Sequence, residues 1–228
     1  MNGKRTFYCE LAFTLGIVVL AFGVAFMERA DFGMSMVVAP AYLLHLKVSQ
    51  FLPFYTFGMS EYVLQAFLLL VLSIVMRKVK KSYLLSFVTA FTYGLVLDIA
   101  MPVVALLPCE GLAGRAVFYI AGMVICSFGV ALLFNTYLPP EAYELFVKEL
   151  SQKLDTPIAK VKTIYDCCSC LLGIVLSFAF FGFGVFVGVK WGTIVCAAVN
   201  GWMIGQISRL LERKFDFKDA FPLRERIN

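Results

Sequence analysis

Histidine is almost missing from this sequence: His45 stands alone. A Ser-His-Asp set and a histidine-bearing zinc site both need more than that. The chain has no phosphate-cradling glycine loop, no zincin helix motif and no nucleophile elbow. Those absences exclude the common hydrolase and nucleotide-handling chemistries, so no enzyme and no cofactor is expected. The seven cysteines do not form a disulfide framework, because Cys126, Cys167, Cys168, Cys170 and Cys196 lie inside apolar segments. Cys9 and Cys109 lie near segment ends. The "CCSC" run at 167–170 is too compressed for separated zinc-ligand pairs and reads as thiols packed between helices.

Charge is also scarce. Asp, Glu, Lys and Arg make up 15% of the chain, against about a quarter in soluble domains. Hydrophobic residues make up 61%, with 23 Phe, and their even spread fits a lipid-facing surface. The net charge of +5 does not indicate nucleic acid, because the basic residues sit at the ends of apolar segments rather than on one soluble face.

Six apolar segments stand out, at roughly 11–27, 62–76, 84–107, 116–134, 167–187 and 191–207. A bilayer crossing takes about 20 residues, and lipid leaves no other partner for backbone polar groups, so each segment should be a helix. The second is short. The start, Lys4 and Arg5 before an apolar run, mimics a secretory signal. Phe26, Met27, Glu28 and Arg29 stand where a cleavage site would be, so it reads as the first span. Two stretches fall short of spanning. Residues 32–46 are interrupted by Pro40, and 139–154 carry apolar residues at helical spacing opposite charges, the pattern of an amphipathic surface helix. With six spans, only Arg29, Lys47, Arg115 and Lys190 of the 20 Lys and Arg fall opposite the N-terminal side. The positive-inside rule then sets both termini in the cytoplasm.

The chain also resembles itself. "LGIVVLAFGVAFMERADFGMS" parallels "AGMVICSFGVALLFNTYLPPE", sharing "FGVA" at 22–25 and 128–131. "AFTYGLVLDI" at 90–99 parallels "AAVNGWMIGQI" at 197–207, with Gly94 against Gly201. An odd number of spans per unit inserts the second copy upside down, as in many secondary transporters. The expected fold is therefore an all-α integral membrane protein. Six transmembrane helices form two inverted-topology three-helix repeats, about 7–107 and about 115–208, each with an interrupted or amphipathic segment after its first span. They make one membrane domain over 1–228 with a cytoplasmic tail at 209–228.

These motifs resemble the YczE/YyaS/YitT family of bacterial inner-membrane proteins over nearly the whole chain. The resemblance rests on "GVAFMERADFGMS" at 23–35, "YGLVLD" at 93–98, "VKTIYD" at 161–166 and "KWGT" at 190–193. Family members usually carry Glu at the position of Asp166. Many relatives continue the first motif with Pro-Trp-Asp, where this chain has Met36, Val37 and Val38. The resemblance implies a topology and a bacterial inner membrane rather than a chemistry.

An ionisable residue inside a span is costly against lipid, which makes it a candidate for function. Asp98 lies about 20 Å along the third span. Pro102 follows four residues later and frees the Asp98 carbonyl from its helical bond. The alternative is that Asp98 simply reaches the outer interface. Asp166 is either a site residue or a helix-start carboxylate favoured by the dipole. Gln65, Asn200 and Gln206 are polar within spans, and interhelical glue is the alternative role for them. The stretch 28–40 holds Glu28, Asp31 and Ser35 and reads as re-entrant or interfacial. Glu28 and Arg29 could equally pair at the outer surface. Together Asp98, Gln65, Asn200, Asp31, Ser35, Asp166 and Gln206 form the expected substrate-binding set. A small secondary transporter, with the bilayer, a small-molecule substrate and a coupling ion as partners, is the leading reading. A proton or sodium ion coupling through Asp98 is one version of it. A non-transporting scaffold or regulatory partner using the basic tail is the rival. Nucleic acid has no supporting motif, and a homodimer is one way for so small a chain to enclose a pathway.

Overall fold

The computed structural model describes residues 4–221. The last part of the expected tail, 222–228, lies outside the described residues. Eight helices follow in order among them: α1 (Cys9–Ala30), α2 (Ala39–Val48), α3 (Phe57–Met76), α4 (Lys81–Ala105), α5 (Gly111–Phe134), α6 (Ala142–Lys153), α7 (Ile158–Phe181) and α8 (Trp191–Lys214). All but α2 and α6 are long and apolar enough to cross a membrane. Their outward faces expose Leu70, Ile74, Leu84, Ile120, Val175 and Trp202, a surface that suits hydrocarbon. The chain is an all-α, multi-pass membrane protein.

The ends of several spans differ from the apolar segments for one reason. α3 begins at Phe57 rather than 62, with the Thr56 side chain capping it by accepting from the Met59 N–H. Ser60 and Glu61 interrupt the apolar run, but both are fully buried in protein. α7 likewise starts before its apolar segment and carries Lys162 and Asp166 inside it, paired with each other. It ends at Gly182, where φ is +105°, a conformation glycine adopts without Cβ strain.

α1 and α5 form the centre. As α1 advances from Gly16 through Gly23 to Met27, its neighbours step back along α5 from Leu133 through Cys126 to Gly122, so the two helices run antiparallel. α1 also packs on α4, and α5 on α8; α3 packs on α4, and α7 on α8. The short helices dock crosswise, α2 against α3 and α7, α6 against α7 and α3. Before α1 and after α8, β1 (Arg5–Tyr8) and β2 (Phe215–Lys218) pair in parallel. Phe7 packs between Phe215 and Phe217. The start of α1 and the end of α8 therefore lie on one face of the bundle, as an even number of spans requires. Residues 215–218 of the expected tail form this strand rather than a free extension.

α6 departs from the surface-helix expectation. Ala142, Tyr143, Glu144, Leu145, Val147 and Glu149 are all buried. Its first N–H, at Ala142, donates to Gln65 Oε1 midway along α3 (3.0 Å), while near its end Lys153 donates to the Val75 carbonyl. The helix therefore starts deep in the bundle and runs back toward the face where α3 ends. The preceding Pro139 and Pro140 carbonyls accept from Thr89 (3.0 Å) and Ser86 (2.6 Å) of α4, which holds the descending strand in place. α2 is built alike. Pro40 sits in its first turn, where its missing N–H costs nothing, so it starts the helix rather than interrupting it. Toward the other end, His45 Nδ1 lies 3.0 Å from the Tyr55 carbonyl and Lys47 donates to the Phe180 carbonyl. α2 therefore runs back toward the face where α3 begins.

The cysteines are free. Cys126 and Cys196 are buried between helices, but Cys167 and Cys168 are exposed. A thiol is apolar enough to face lipid, so these two need no packing partner.

A buried carboxylate cluster at a central cavity

Three elements bring charge into the interior. Glu61 and Gln65 are four residues apart on α3 and share one face. The start of α6 supplies Glu141, Tyr143 and Glu144. α7 supplies Lys162 and Asp166, again four apart. Glu61 and Gln65 are fully buried, and Glu141, Glu144 and Asp166 nearly so.

Gln65 organises the cluster. Its amide oxygen accepts from the Ala142 N–H (3.0 Å), which fixes the side chain's orientation. Its Nε2 then faces two carboxylates, donating to Glu61 Oε2 (3.2 Å) and Glu141 Oε2 (3.3 Å). The Tyr143 hydroxyl also donates to Glu61 Oε2 (2.8 Å). Lys162 Nζ bridges Glu144 (3.0 Å) and Asp166 (3.1 Å). The cluster thus holds four carboxyls and one ammonium, which two of them share. Burial, with Glu61 and Glu144 beside it, pushes the Glu141 carboxyl well above the usual carboxylate range. Glu61 Oε1, Glu141 Oε1, Glu144 Oε2 and the Tyr93 hydroxyl are buried without a hydrogen-bond partner among the described residues.

The cluster borders a cavity of ≈ 50 Å³, room for more than one water. Leu20 and Val24 of α1, Ser35 and Val38 before α2, and Cys126 of α5 form one side. Tyr93, Glu141, Glu144, Lys162 and Asn200 form the other. Asn200 is fixed by accepting from Ser127 (2.9 Å). Both short helices begin at this cavity, so the positive ends of both dipoles point into it.

A recess lies toward each face. One, of ≈ 110 Å³, is walled by Glu28, Asp31, Gly33, Tyr42, Gly188 and Lys190. The other, of ≈ 500 Å³, includes Lys80, Tyr137, Pro140, Lys148 and Glu149.

Of the residues expected to bind substrate, Gln65, Asn200 and Ser35 come together around the cavity and its cluster, with Asp166 behind Lys162. The other three lie elsewhere. Asp98 accepts from the Thr56 hydroxyl (2.7 Å) and the Gly58 N–H (2.8 Å), clasping the start of α3. Asp31 closes α1 at a rim, exposed and paired with Arg115 (3.0 Å) and Lys190. Gln206 is exposed on α8. Glu28 pairs with the Tyr42 hydroxyl (3.3 Å) rather than with Arg29. Glu61, Glu141, Glu144, Lys162 and Tyr143 were not singled out by sequence. Glu61 stands at i−4 from Gln65, which is the one local signal that could have found it.

Asp98 gives a direct test. Asp98→Ala removes the acceptor for two donors at a helix start, and a hydrogen bond to a charged group contributes about 1.5–3 kcal/mol. We expect a loss of about 2 kcal/mol in detergent unfolding, without effect on any property of the central cavity.

Six apolar helices around a buried polar cavity define a multi-spanning membrane protein with an internal site. Residues 7–209 match a family described as a family of unknown function, DUF6198, and the chain belongs to that family. No curated protein matches it. No solved structure matches it.

Proposed function

We propose that the protein is a small secondary transporter, moving a small molecule by alternating access between two inverted three-helix units. The observation that carries this reading is the central cavity. It is lined from the starts of both short helices and lies between recesses that face opposite ways. That arrangement suits an occluded intermediate, with a site at the interface of two repeats.

The packing supports the inverted repeat. A Cβ on Gly23 would meet Cys126, and one on Gly129 would meet Leu20. In the alignment of the two "FGVA" stretches, Gly23 matches Gly129 and Leu20 matches Cys126, so the contacts are reciprocal, as a two-fold relation demands. The crosswise docking of α2 and α6 follows the same exchange. Rocking one unit against the other about the α1–α5 seam would open either recess to the cavity. The charge bias places the termini in the cytoplasm, and the resemblance to the YczE/YyaS/YitT proteins favours a bacterial inner membrane.

The test is an untargeted comparison of metabolites retained or expelled by sealed vesicles with and without the protein. A transporter changes the level of a defined compound class. No change across broad pools would leave the scaffold reading in its place. Topology is tested separately by tag accessibility. Positions 80 and 160 should label from one side and 190 from the other; labelling 80 and 160 from opposite sides would remove the inverted repeat.

A further inference from the structure

We propose that Glu61 and Glu141 form the proton-carrying site of the protein, one proton being taken up from water on one face and released to water on the other. This rests on the transporter reading above and names its coupling ion.

The charge balance is the first argument. Lys162 lies 3.0 Å from Glu144 and 3.1 Å from Asp166 and is taken by them. Among the described residues, no Lys, Arg or His makes an ion pair with Glu61 or Glu141. They are held by neutral donors only, the Gln65 amide and, for Glu61, the Tyr143 hydroxyl. Two ionised carboxylates sharing one amide inside a protein in lipid repel each other and lack hydration. A proton on one carboxyl removes the repulsion and leaves one buried charge in place of two.

The geometry says which oxygen takes it. In each carboxyl, Oε2 accepts hydrogen bonds while Oε1 has none. The division suits a protonated carboxyl, with Oε2 as the carbonyl acceptor and Oε1 bearing the hydrogen. Gln65 cannot turn over to offer its oxygen instead, because the Ala142 N–H holds that oxygen.

An independent group points to the same place. The Tyr93 hydroxyl of α4 is buried and unpartnered, and Tyr93 lines the cavity beside Glu141. A hydroxyl both donates and accepts, so with cavity water it can pass a proton to or from Glu141 Oε1. Every other charged or titratable group facing the pair is accounted for. Glu144, Lys162 and Asp166 pair together, Tyr143 donates to Glu61, Tyr165 lies under Lys162, and the Cys126 thiol faces α1. Loading forms an O–H bond on Oε1 as an O–H bond of a hydronium ion or of the relaying hydroxyl breaks, and release reverses that exchange. A metal ion fits less well, because no group of three or more His, Cys, Asp or Glu side chains among the described residues could hold one.

The experiment is infrared spectroscopy of the whole protein in lipid, without substrate, as pH is raised. We expect a carboxylic-acid C=O band at mildly acidic pH that shifts in D2O and disappears toward alkaline pH. Glu61→Gln and Glu141→Gln should each remove part of it, and Glu149→Gln, at the Lys80 rim, should leave it whole. Absence of the band in the wild-type protein overturns the proposal, and needs no variant to fold. So does a band that survives undiminished in both variants, or one abolished by sodium at fixed pH. The readout does not depend on transport, so a failed vesicle assay with an intact band counts against the transporter alone.

Discussion

Replacing Lys162 with Met should destabilise the protein by about 3–5 kcal/mol, the cost of leaving buried charges without their partner. Methionine keeps the length and apolar stem of lysine but not its ammonium. Glu144 and Asp166 would then share a nearly solvent-free space with no cation, since their side chains are only 11% and 7% exposed. Removing the carboxylates instead, as Glu144→Gln with Asp166→Asn, strands the ammonium and should also be costly. All three changes together leave a neutral trio of the same shape at these positions and should recover most of the stability. Unfolding in mixed detergent, followed for the wild type, Lys162→Met, the carboxylate pair and the triple variant, checks this. If Lys162→Met unfolds with the wild type, the ammonium is hydrated and the cluster is not the closed site described above.

The six spans were legible because hydropathy records how much surface meets lipid, and that is a local property of each helix. Their ends were not, wherever a charge inside the helix is neutralised by something distant in sequence. Glu61 reads as the polar flank of a span until Tyr143, eighty-two positions later, is seen donating to it. The pattern of α6 was read correctly as amphipathic, but one stripe of charge serves equally to face headgroups or to face buried partners. Only the fold decides, and here Glu144 finds Lys162 while Glu149 finds Lys80. Gln65 and Asn200 were named as polar residues within apolar runs and both face protein, whereas Gln206, named on the same ground, is exposed; Ser35 came from the broken stretch at 28–40. Asp98, an ionisable residue within a span, faces protein too, as a clasp on the start of α3. Local sequence points to which groups are buried more readily than to what they are buried against.

The largest effect is expected at the α1–α5 seam. A Cβ on Gly23 would lie 2.6 Å from both the backbone nitrogen and the Sγ of Cys126. A Cβ on Gly129 would lie 2.8 Å from the Leu20 nitrogen and 2.9 Å from the Gly16 carbonyl oxygen. Backbone atoms cannot rotate away, so any side chain here must push the helices apart. Small residues at a crossing are what bring two membrane helices close enough for dispersion to hold them. Gly23→Ala should cost about 1–3 kcal/mol as overpacking. Gly129→Ala should cost about the same, because the two positions meet reciprocal contacts. Gly23→Leu should prevent α1 and α5 from packing, so that no folded protein accumulates in the membrane. Gly201 of α8 supplies the control. Nothing lies within 4 Å of its added Cβ, so Gly201→Ala should be neutral or gain about 0.5–1 kcal/mol from helix propensity. Detergent unfolding of the three alanine variants, with the membrane-inserted yield of the leucine variant, decides it. Equal stability of Gly23→Ala and Gly201→Ala would mean that α1 and α5 do not touch at this crossing. A large loss at Gly23 with none at Gly129 would keep the contact but break its reciprocity, and with it the two-fold relation on which rocking about this seam depends.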